Sequence, residues 1–423
     1  MAEGMENWAR NVVYSAHMVH RPASVSEVQS LVAGATKVKA LGTRHSFNSI
    51  ADTEFDHVST ENLNRVLHLD RDRMTVTVEG GISYGTLSTH LFEEGYALHN
   101  LASLPHISVA GACSTATHGS GVKNGNVATA VCALEMVTAS GELLCLNESD
   151  PDFFGAVVNL GALGIVTSVT LRIQPAFQVR QFVYQNLPYS ALEDNFDLIV
   201  SSAYSVSLFT CWNSDFIDQV WQKCTDMDRA VPESFFGATL ATRKLHPLPD
   251  HPAEFCTEQL GIPGSWHERL AHFKMEFTPS SGDELQSEFI IPRHYAFAAL
   301  SAINAIRGVI SPVLHVSEIR TAAADDLWLS SSFGTDVVCI HFTWKKMWDV
   351  VRTILPVLEE VLAPYEARPH WCKLFAMEAD RVCSLYPKMD EFMALMGRLD
   401  PGGKFRNEFL DQNVFGLTKT SQS

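Results

Sequence analysis

Residues 101–121 read LASLPHISVAGACSTATHGSG, and this run carries more weight for the fold than any other stretch of the chain. Nearly every residue from 110 to 121 is small or bears a hydroxyl group. Small residues let the backbone approach a ligand closely, and hydroxyl groups both donate and accept hydrogen bonds. The alternative is a flexible loop, but Ile107 and Val109 precede the small residues and could anchor them. The run therefore favours a wall that wraps a ligand.

A second polar motif lies upstream, where the strand pattern that ends at Leu41 is followed by the turn Gly42–Asn48. Such a turn can aim backbone N–H groups at a phosphate. A surface turn with a chance histidine, His45, explains these residues about as well. No G-x-G-x-x-G follows a strand and opens a helix in the 101–121 run, so a Rossmann dinucleotide site is not expected.

Short strands and helices surround both motifs, which predicts an α+β unit that ends near Pro175. The strand segments are rich in β-branched and apolar residues, and turn residues flank several of them. Ser24, with Glu27 three residues on, is a capping-box signal for a helix. The predicted strands are 37–42, 74–78, 133–137, 142–146 and 165–173, and the predicted helices are 24–32 and 84–94.

The second half of the chain has a regular pattern from residue 273 onward. Its predicted strands are 273–277, 286–291, 314–320, 337–344 and 370–375, and its predicted helices are 295–310 and 347–362. This order predicts a ferredoxin-like antiparallel sheet with helices on one face. Pro356 is expected to weaken or kink the second helix. Residues 180–263 give no firm prediction apart from a proline-rich loop at 246–252, and no internal repeat is evident.

Three of these strands carry polar residues at alternate positions. Residues i and i+2 of a strand share a face, so the polar groups of each strand lie together. If the three faces point the same way, these side chains converge: Glu318, Arg320, His341, Thr343 and Lys373. The set mixes donors with acceptors, which suits a neutral, polyhydroxylated ligand. For any one strand, a solvated polar face explains the pattern better than a ligand site does. Because three strands share the pattern, the two explanations become about equally good.

Composition excludes several classes of protein. The formal net charge is −17, and a diffuse acidic balance argues against nucleic-acid binding, which needs clustered Lys and Arg. No run reaches 18 apolar residues, and the N-terminus lacks the pattern of a signal peptide, so we expect neither a membrane span nor export. Nine scattered cysteines without a C-x-x-C pair are typical of free thiols in a reducing compartment. The prediction is a cytoplasmic protein.

Two further kinds of site are disfavoured. His17 and His20 are three residues apart, but no thiol or carboxylate lies close in sequence to complete a zinc site, so we predict no metal. No G-x-S-x-G elbow is present, which argues against a Ser-His-Asp hydrolase.

Taken together, the motifs resemble the alditol oxidases, also called xylitol oxidases, which are FAD-linked oxidases of the vanillyl-alcohol oxidase type. The resemblance covers nearly the whole chain, from Asn7 and Trp8 to the segment 401–407. Its most specific segments are Gly42–Asn48, Ala102–Gly121, Gly161–Thr167, Glu318–Arg320, His341–Thr343 and Arg368–Lys373.

This resemblance implies a two-domain flavoprotein. Residues 1–178 would form an FAD-binding domain of the p-cresol methylhydroxylase type, residues 179–375 a substrate-binding cap domain, and residues 376–423 a segment that returns to the FAD domain. His45 would carry the covalent bond to FAD. The other residues implied to bind FAD are Gly42, Thr43, Arg44, Ser46, Phe47, Asn48, Ser103, Ser108, Gly111, Thr115, Thr117, His118, Gly121, Ile165 and Asn407.

It also implies a reaction. A terminal CH–OH of a polyol such as xylitol or sorbitol would give up a hydride to FAD, the product would be an aldose, and O2 would reoxidise the flavin to give hydrogen peroxide. Lys373 and Arg320 would contact the reacting hydroxyl, and two cations favour an alkoxide-like transition state. Lys373 could act as general base if burial and Arg320 depress its pKa. The remaining hydroxyls would bind Ser103, Glu318, His341 and Thr343.

Several alternatives stay open. Ala102 holds the place of a residue that gates oxygen in related enzymes, but alanine there does not decide between oxidase and dehydrogenase. Cys113 is interpreted as a small buried residue and not as a second flavin attachment point. An aldonolactone oxidase or dehydrogenase of the same fold is the nearest rival, and a sugar-binding protein without flavin is a more distant one. We expect a monomer that takes a small polyol and O2 as its partners.

Overall fold

The computed structural model describes residues 4–248, 251–275 and 284–417. It has the predicted α+β class, with several separate sheets and helices packed against them. The strands up to residue 175 are β1 (Met18–His20), β2 (Val38–Leu41), β3 (Asp56–Ser59), β4 (Val66–Asp70), β5 (Thr75–Glu79), β6 (Tyr96–Ala97), β7 (Val131–Val137), β8 (Leu143–Asn147), β9 (Ile165–Arg172) and β10 (Gln174–Pro175). The helices are α1 (Val25–Gly34), α2 (Tyr84–Glu93), α3 (Val109–Cys113) and α4 (Phe153–Val157).

Two sheets organise this part of the chain. Strands β1, β3 and β2 form a parallel three-stranded sheet, and strands β4, β5, β9, β7 and β8, in that order, form an antiparallel one. Each of the five strands and both helices predicted here is present within a few residues. The Ser24 side chain accepts a hydrogen bond from the N–H of Glu27, so the predicted cap of α1 is confirmed. Strands β1, β3, β4, β6 and β10 were not predicted.

The small-residue run is not one loop, because its first part folds into the short helix α3. The helix is fixed through its backbone: the N–H of Val109 donates to Ile82, and the N–H of Ala110 donates to Gly80. Both residues are buried. The run is therefore anchored at Val109, as the sequence suggested, and at Ala110.

A large antiparallel sheet occupies the second part of the chain. Its elements are β11 (Gln178–Pro188), α5 (Ala191–Val200), β12 (Ser205–Thr210), β13 (Phe216–Cys224), β14 (Ser234–Phe235), β15 (Ala238–Leu240), β16 (Gly264–Ser265), α6 (Trp266–Arg269), β17 (Glu284–Pro292), α7 (Ala296–Ala305), α8 (Arg307–Ile310), β18 (Leu314–Ala322), β19 (Val337–Lys345), α9 (Trp348–Leu362) and β20 (Arg368–Pro369). The strand order is β14-β15-β11-β13-β12-β18-β19-β17-β20.

The predicted ferredoxin-like order is confirmed, and the same strand order occurs twice. Strands β18, β19, β17 and β20 are neighbours in the order expected for a strand-helix-strand-strand-helix-strand unit. Strands β12, β13, β11 and β15 repeat that order, and the two units join where β12 pairs with β18. Helices α5, α7 and α9 contribute to one hydrophobic core, so they cover one face of the sheet. The site described below lies on the opposite face.

Three predictions for this part need correction. The helix predicted at 295–310 is broken at Ile306 into α7 and α8. The last strand is limited to Arg368–Pro369, and residues 371–373 form a turn instead. Phe273 makes only an isolated bridge with Cys256, and residues 276 and 277 lie outside the described part. Helix α9, in contrast, continues through Pro356.

The end of the chain packs against its beginning. Residues after the large sheet form α10 (Ala379–Ser384), α11 (Met389–Leu399) and α12 (Glu408–Asn413). Their apolar side chains, among them Phe392 and Leu410, belong to the same core as Ile50 and Val78. The first core is therefore completed by the last residues of the chain.

Within the described residues, no single helix combines the length and the apolar character that crossing a membrane requires. One bent pair, Arg293–Ala305 with Arg307–Val313, meets these criteria only when its two parts are counted together.

Candidate active site

A cavity of about 780 Å³ lies between the small-residue run and the polar face of the large sheet. Its wall contains twelve of the residues that the sequence analysis assigned to the cofactor: Gly42, Thr43, Arg44, His45, Ser46, Phe47, Ser103, Ser108, Gly111, Thr115, Thr117 and His118. The wall also contains the five converging side chains, Glu318, Arg320, His341, Thr343 and Lys373. Cofactor and substrate residues thus share one continuous space.

The cofactor side of this cavity is built for close approach. A Cβ atom added at Gly42 would lie 2.7 Å from Ser108 Oγ, and one added at Gly111 would lie 2.8 Å from the same atom. A side chain at either position would therefore press on the wall and reduce the space for a ligand. Hydroxyl groups and backbone N–H groups are suitable partners for the phosphate and sugar oxygens of FAD. The residues present fit this cofactor.

His45 stands out within the wall. The preceding residue, Arg44, has a φ of 63°, a left-handed conformation that is uncommon outside glycine and concentrates at functional turns. The imidazole stacks on Trp8 with 5.6 Å between ring centroids. Its Nδ1 atom is buried without a hydrogen-bond partner among the described residues. Burial, with a smaller effect of His106, lowers the pKa of His45 to about 4, so the ring is neutral at neutral pH.

Four predicted cofactor residues do not reach the cavity wall. Asn48 donates to the backbone oxygens of Trp371 and Lys373, at 2.8 Å each. Gly121 and Ile165 are buried elsewhere, the latter in the core around α1. Asn407 donates to three backbone oxygens at Ser49, Ile50 and Asp52. Asn48 and Asn407 thus connect chain segments.

Strand register explains why four of the polar side chains meet. Glu318 on β18 is paired with His341 on β19, and Val316 is paired with Thr343. Alternate residues such as Ile319 and Ile340 point into the core below the helices. The polar residues of both strands therefore face the cavity, as the alternation predicted.

Lys373 also faces the cavity, but a turn and not a strand places it there. It lies in the turn after β20, so the shared strand face assumed for it is wrong. The turn is held by Phe47, whose N–H donates to the oxygen of Cys372 at 2.7 Å, and by the two hydrogen bonds from Asn48. Residues of the Gly42–Asn48 motif thereby place Lys373 at the cavity.

Glu288 on β17 connects the charged residues, and sequence reasoning missed it. Its side chain is fully buried and contacts Lys373 Nζ through Oε2. Its Oε1 lies 3.2 Å from Arg320 and 3.1 Å from His118. Burial raises the pKa of Glu288, but Lys373, His118 and Arg320 outweigh it and hold this pKa well below its usual range. The alternation Gln286, Glu288 on a predicted strand was the signal that could have found it.

Two further buried side chains, His272 and Lys223, support Glu318. His272 donates to Glu318 Oε1 across 2.7 Å, and Lys223 lies 3.1 Å from the other ring nitrogen of that histidine. Burial and Lys223 lower the pKa of His272 to about 4, so the imidazole is neutral. Burial raises the pKa of Glu318, but Arg320 and His272 outweigh it, and the carboxylate stays ionised. Glu318 is thus held as a charged hydrogen-bond acceptor.

Arg320 links the two halves of the site. Its guanidinium donates to Ser103 Oγ at 3.2 Å and to the backbone oxygen of His118 at 3.3 Å. On the other side it contacts both Glu318 and Glu288. The small-residue run and the sheet are therefore joined at the cavity by one buried cation.

One trio in this region has the geometry of a metal site. Ligand atoms of His118, Glu288 and Cys339 lie within 4.8 Å of one another. However, the carboxylate of Glu288 already faces the cations Lys373 and Arg320. A divalent cation would have to compete with both charges, which makes metal binding unfavourable here.

Two family models match the chain. Residues 16–147 match an FAD-binding domain, and residues 280–413 match D-arabinono-1,4-lactone oxidase. The chain is 46% identical to an alditol oxidase from a Streptomyces species, with 97% of this chain and 99% of that protein covered. The chain belongs to the alditol oxidase family of FAD-linked oxidases. Alditol oxidases have relatives that act on lactones: L-gulono-1,4-lactone dehydrogenase of Mycobacterium tuberculosis is 30% identical over 95% of this chain and 97% of its own.

Among solved structures, a cholesterol oxidase from B. sterolicum superimposes with a TM-score of 0.78 at 15% identity. The match covers 97% of this chain and 96% of that chain, so the alditol oxidase family shares its overall fold. The expected two-domain architecture is thereby confirmed. The match to an FAD-binding domain and to an alditol oxidase shows that FAD is the cofactor of this chain.

Proposed function

We propose that the protein oxidises the terminal hydroxyl of an alditol, such as xylitol or sorbitol, to the aldose. The observation that carries this proposal is that Ser103, Arg320 and the four other polar side chains line the same cavity as the residues assigned to FAD. The set contains anionic acceptors, cationic donors and hydroxyl groups, and a polyol needs both kinds of partner. The similarity to an alditol oxidase over nearly the full length supports the same substrate class.

When bound, FAD would supply the acceptor for the hydride, and O2 would take up the electrons from the reduced flavin. Lys373 and Arg320 contact the reacting hydroxyl, and their charges stabilise negative charge on its oxygen. Because Lys373 is paired with the carboxylate of Glu288, we assign it the role of donor and not that of general base. The hydroxyl proton leaves to solvent water, and the cations stabilise the alkoxide that remains. Glu318, His341, Thr343 and Ser103 hold the other hydroxyls. Holding the carbon chain at several points fixes the reacting C–H for transfer.

We propose that FAD is bound covalently through His45. The buried, unpartnered Nδ1 of a neutral imidazole supports this, since only an unprotonated nitrogen can form a bond. Twelve of the sixteen predicted cofactor residues line the cavity, and we assign them to FAD. The domain limits at residues 178 and 375, reoxidation by O2 past Ala102, and a monomeric state belong to the same proposal. All nine cysteines are free, which supports a cytoplasmic location.

A lactone substrate is the second candidate. The match of residues 280–413 to a lactone oxidase favours it, because that segment supplies most of the polar side chains of the cavity. A lactone would also use the cations Lys373 and Arg320. The higher identity to the alditol oxidase favours the polyol.

Anaerobic addition of xylitol to the purified holoenzyme tests the proposal. We expect the visible flavin band to bleach with xylitol and to stay oxidised with L-gulono-1,4-lactone. Bleaching by the lactone alone would replace the polyol proposal by the lactone one. The absence of any flavin band, in protein expressed with ample FAD, would contradict both.

A further inference from the structure

Glu288 has no role among the residues assigned so far to substrate or cofactor. Its side chain has an exposed fraction of 0%, and the contacts to Lys373, Arg320 and His118 use both of its oxygens. A buried carboxylate is costly unless it is paired and hydrogen-bonded. Glu288 meets this condition only through groups that line the proposed active site.

We propose that Glu288 is a positioning residue, which keeps Lys373 in its ammonium form and aims one N–H of that ammonium at the substrate hydroxyl. The effect of Glu288 on catalysis rests on the proposed function. Its first part, the charge state of Lys373, can be tested without any substrate.

The hydrogen bonds around Lys373 leave one donor for a ligand. An ammonium group has three N–H donors. One is taken by Glu288 Oε2, and a second by His341 Nδ1 at 2.9 Å. Burial and Lys373 lower the pKa of His341 to about 4, so this nitrogen acts as an acceptor. The third N–H is left in a cavity whose wall includes Lys373 itself.

His341 is fixed by the same arrangement. Since Nδ1 accepts from Lys373, the proton of the neutral ring is on Nε2, which lies 3.0 Å from Thr343 Oγ1. Glu288 therefore orders a chain of donors that continues through Lys373 and His341 to Thr343. Each of these three side chains faces the proposed polyol.

The charges around Glu288 decide what its removal would do. The titratable and charged groups that face it are Lys373, Arg320, His118, His341 and His370, with the Cys339 thiol close to His118. Without the carboxylate, Lys373 would lie near Arg320 with no anion in contact. Both burial and a neighbouring cation favour the neutral amine. Lys373 would then lack the positive charge that stabilises negative charge on the substrate oxygen.

Chemical labelling tests the charge state directly. We would treat the holoenzyme and its Glu288→Gln variant with acetic anhydride near pH 8 and measure acetylation of Lys373 by peptide mass spectrometry. Only neutral amines react, and each pKa unit changes their fraction about tenfold. We expect labelling of Lys373 to rise at least about tenfold in the variant, relative to exposed Lys388 of the same sample. Equal labelling would overturn the proposal.

Kinetics separate positioning from a merely structural role. We expect the rate of flavin reduction by xylitol in Glu288→Gln, divided by the wild-type rate at the same pH, to fall as the pH rises from about 6 to 9. Glu288→Asp should restore a level profile. A uniform loss at every pH would indicate a structural role, and a rate that rises with pH would make Lys373 a base. Either result would overturn the proposal.

The matched control is Glu79→Gln, which removes a buried carboxylate that pairs with Arg65 away from the cavity. It should leave both the labelling of Lys373 and the pH profile unchanged. If xylitol failed to reduce the wild-type flavin, the proposed function would fall, but the labelling result would still decide the role of Glu288.

Discussion

Lys373 is the cavity residue whose loss should affect the reaction most. Its ammonium contributes a donor and a positive charge at the proposed position of the reacting hydroxyl. We expect Lys373→Met to slow flavin reduction by xylitol by about 10²–10³-fold, the range for removal of one oxyanion donor. Anaerobic stopped-flow absorbance measures this rate. Lys388→Met, at an exposed lysine, is the control, and an unchanged rate in Lys373→Met would contradict the assigned role.

His45 allows a prediction that needs no substrate. We expect His45→Ala to contain flavin that is released when the protein is denatured, since the variant lacks the nitrogen proposed to form the bond. Fluorescence of the protein band in a denaturing gel distinguishes bound from released flavin. His68→Ala, an exposed histidine on β4, should keep the fluorescence. Fluorescence that persists in His45→Ala would place the bond elsewhere.

Residue by residue, sequence reasoning located the site but not its supporting contacts. It found Glu318, Arg320 and His341 because alternation along a strand is visible in the chain. It missed Glu288 and His272, whose partners lie 85 and 46 residues away. Such contacts depend on strand order and on turns, and no local pattern encodes them.

The turn that carries Lys373 depends on Asn48. Removing this side chain would leave the backbone oxygens of Trp371 and Lys373 without their donor, which costs about 1–3 kcal/mol for buried groups. We expect Asn48→Ala to lower the free energy of unfolding by that amount and to slow flavin reduction, because Lys373 loses its support.

Urea denaturation and stopped-flow absorbance measure the two effects. Asn195→Ala serves as the matched control, since its side chain donates to the oxygen of Ala191 within helix α5. It should leave the rate of flavin reduction unchanged. An Asn48→Ala variant with normal kinetics would show that the turn holds Lys373 without this side chain.

At the level of elements, strands whose polar residues do not alternate with apolar ones escaped prediction. Strand β13 contains Gln219, Gln222 and Lys223, all buried. The adjacent polar residues Gln222 and Lys223 break the alternation of apolar and polar residues on which strand prediction depends. The second ferredoxin-like unit was hidden for this reason, whereas the unit with a clear alternation was recognised.

The error at the last strand has a different cause. The residues His370–Phe375 are rich in aromatic and apolar types, which favour a strand. In the structure the N–H of Lys373 donates to the oxygen of His370, so the chain turns there. Contacts from Phe47 and Asn48 stabilise this turn, and they come from more than 300 residues away. Tertiary contacts override the local preference.

For the whole molecule, buried Lys39 makes stability depend on pH. Its ammonium group donates to backbone oxygens of Gly161 and Phe405, and burial lowers the pKa of Lys39 to about 7. In the unfolded chain this pKa is near its ordinary value of 10.5. Between these values the unfolded state binds a proton that the folded state lacks, so the contribution of Lys39 to stability rises with pH.

We expect the free energy of unfolding of the wild type to gain up to about 3 kcal/mol more than that of Lys39→Met between pH 7 and about pH 9.5. Urea denaturation at several pH values measures this difference. Lys388→Met should follow the wild type. Parallel pH curves for wild type and Lys39→Met would show that Lys39 keeps its proton in the folded protein.

The shared core of the two chain ends has a consequence during synthesis on the ribosome. Side chains from residues 382–414 complete the core that begins at Ile50, and the large sheet is translated between them. At about 5–20 residues per second, the first part of the nascent chain waits roughly 10–50 seconds for its last helices. During this interval its apolar surface is a target for chaperones. A premature stop codon close to the end of the message would thus abolish the flavin-binding part and spare the sheet that is translated before it.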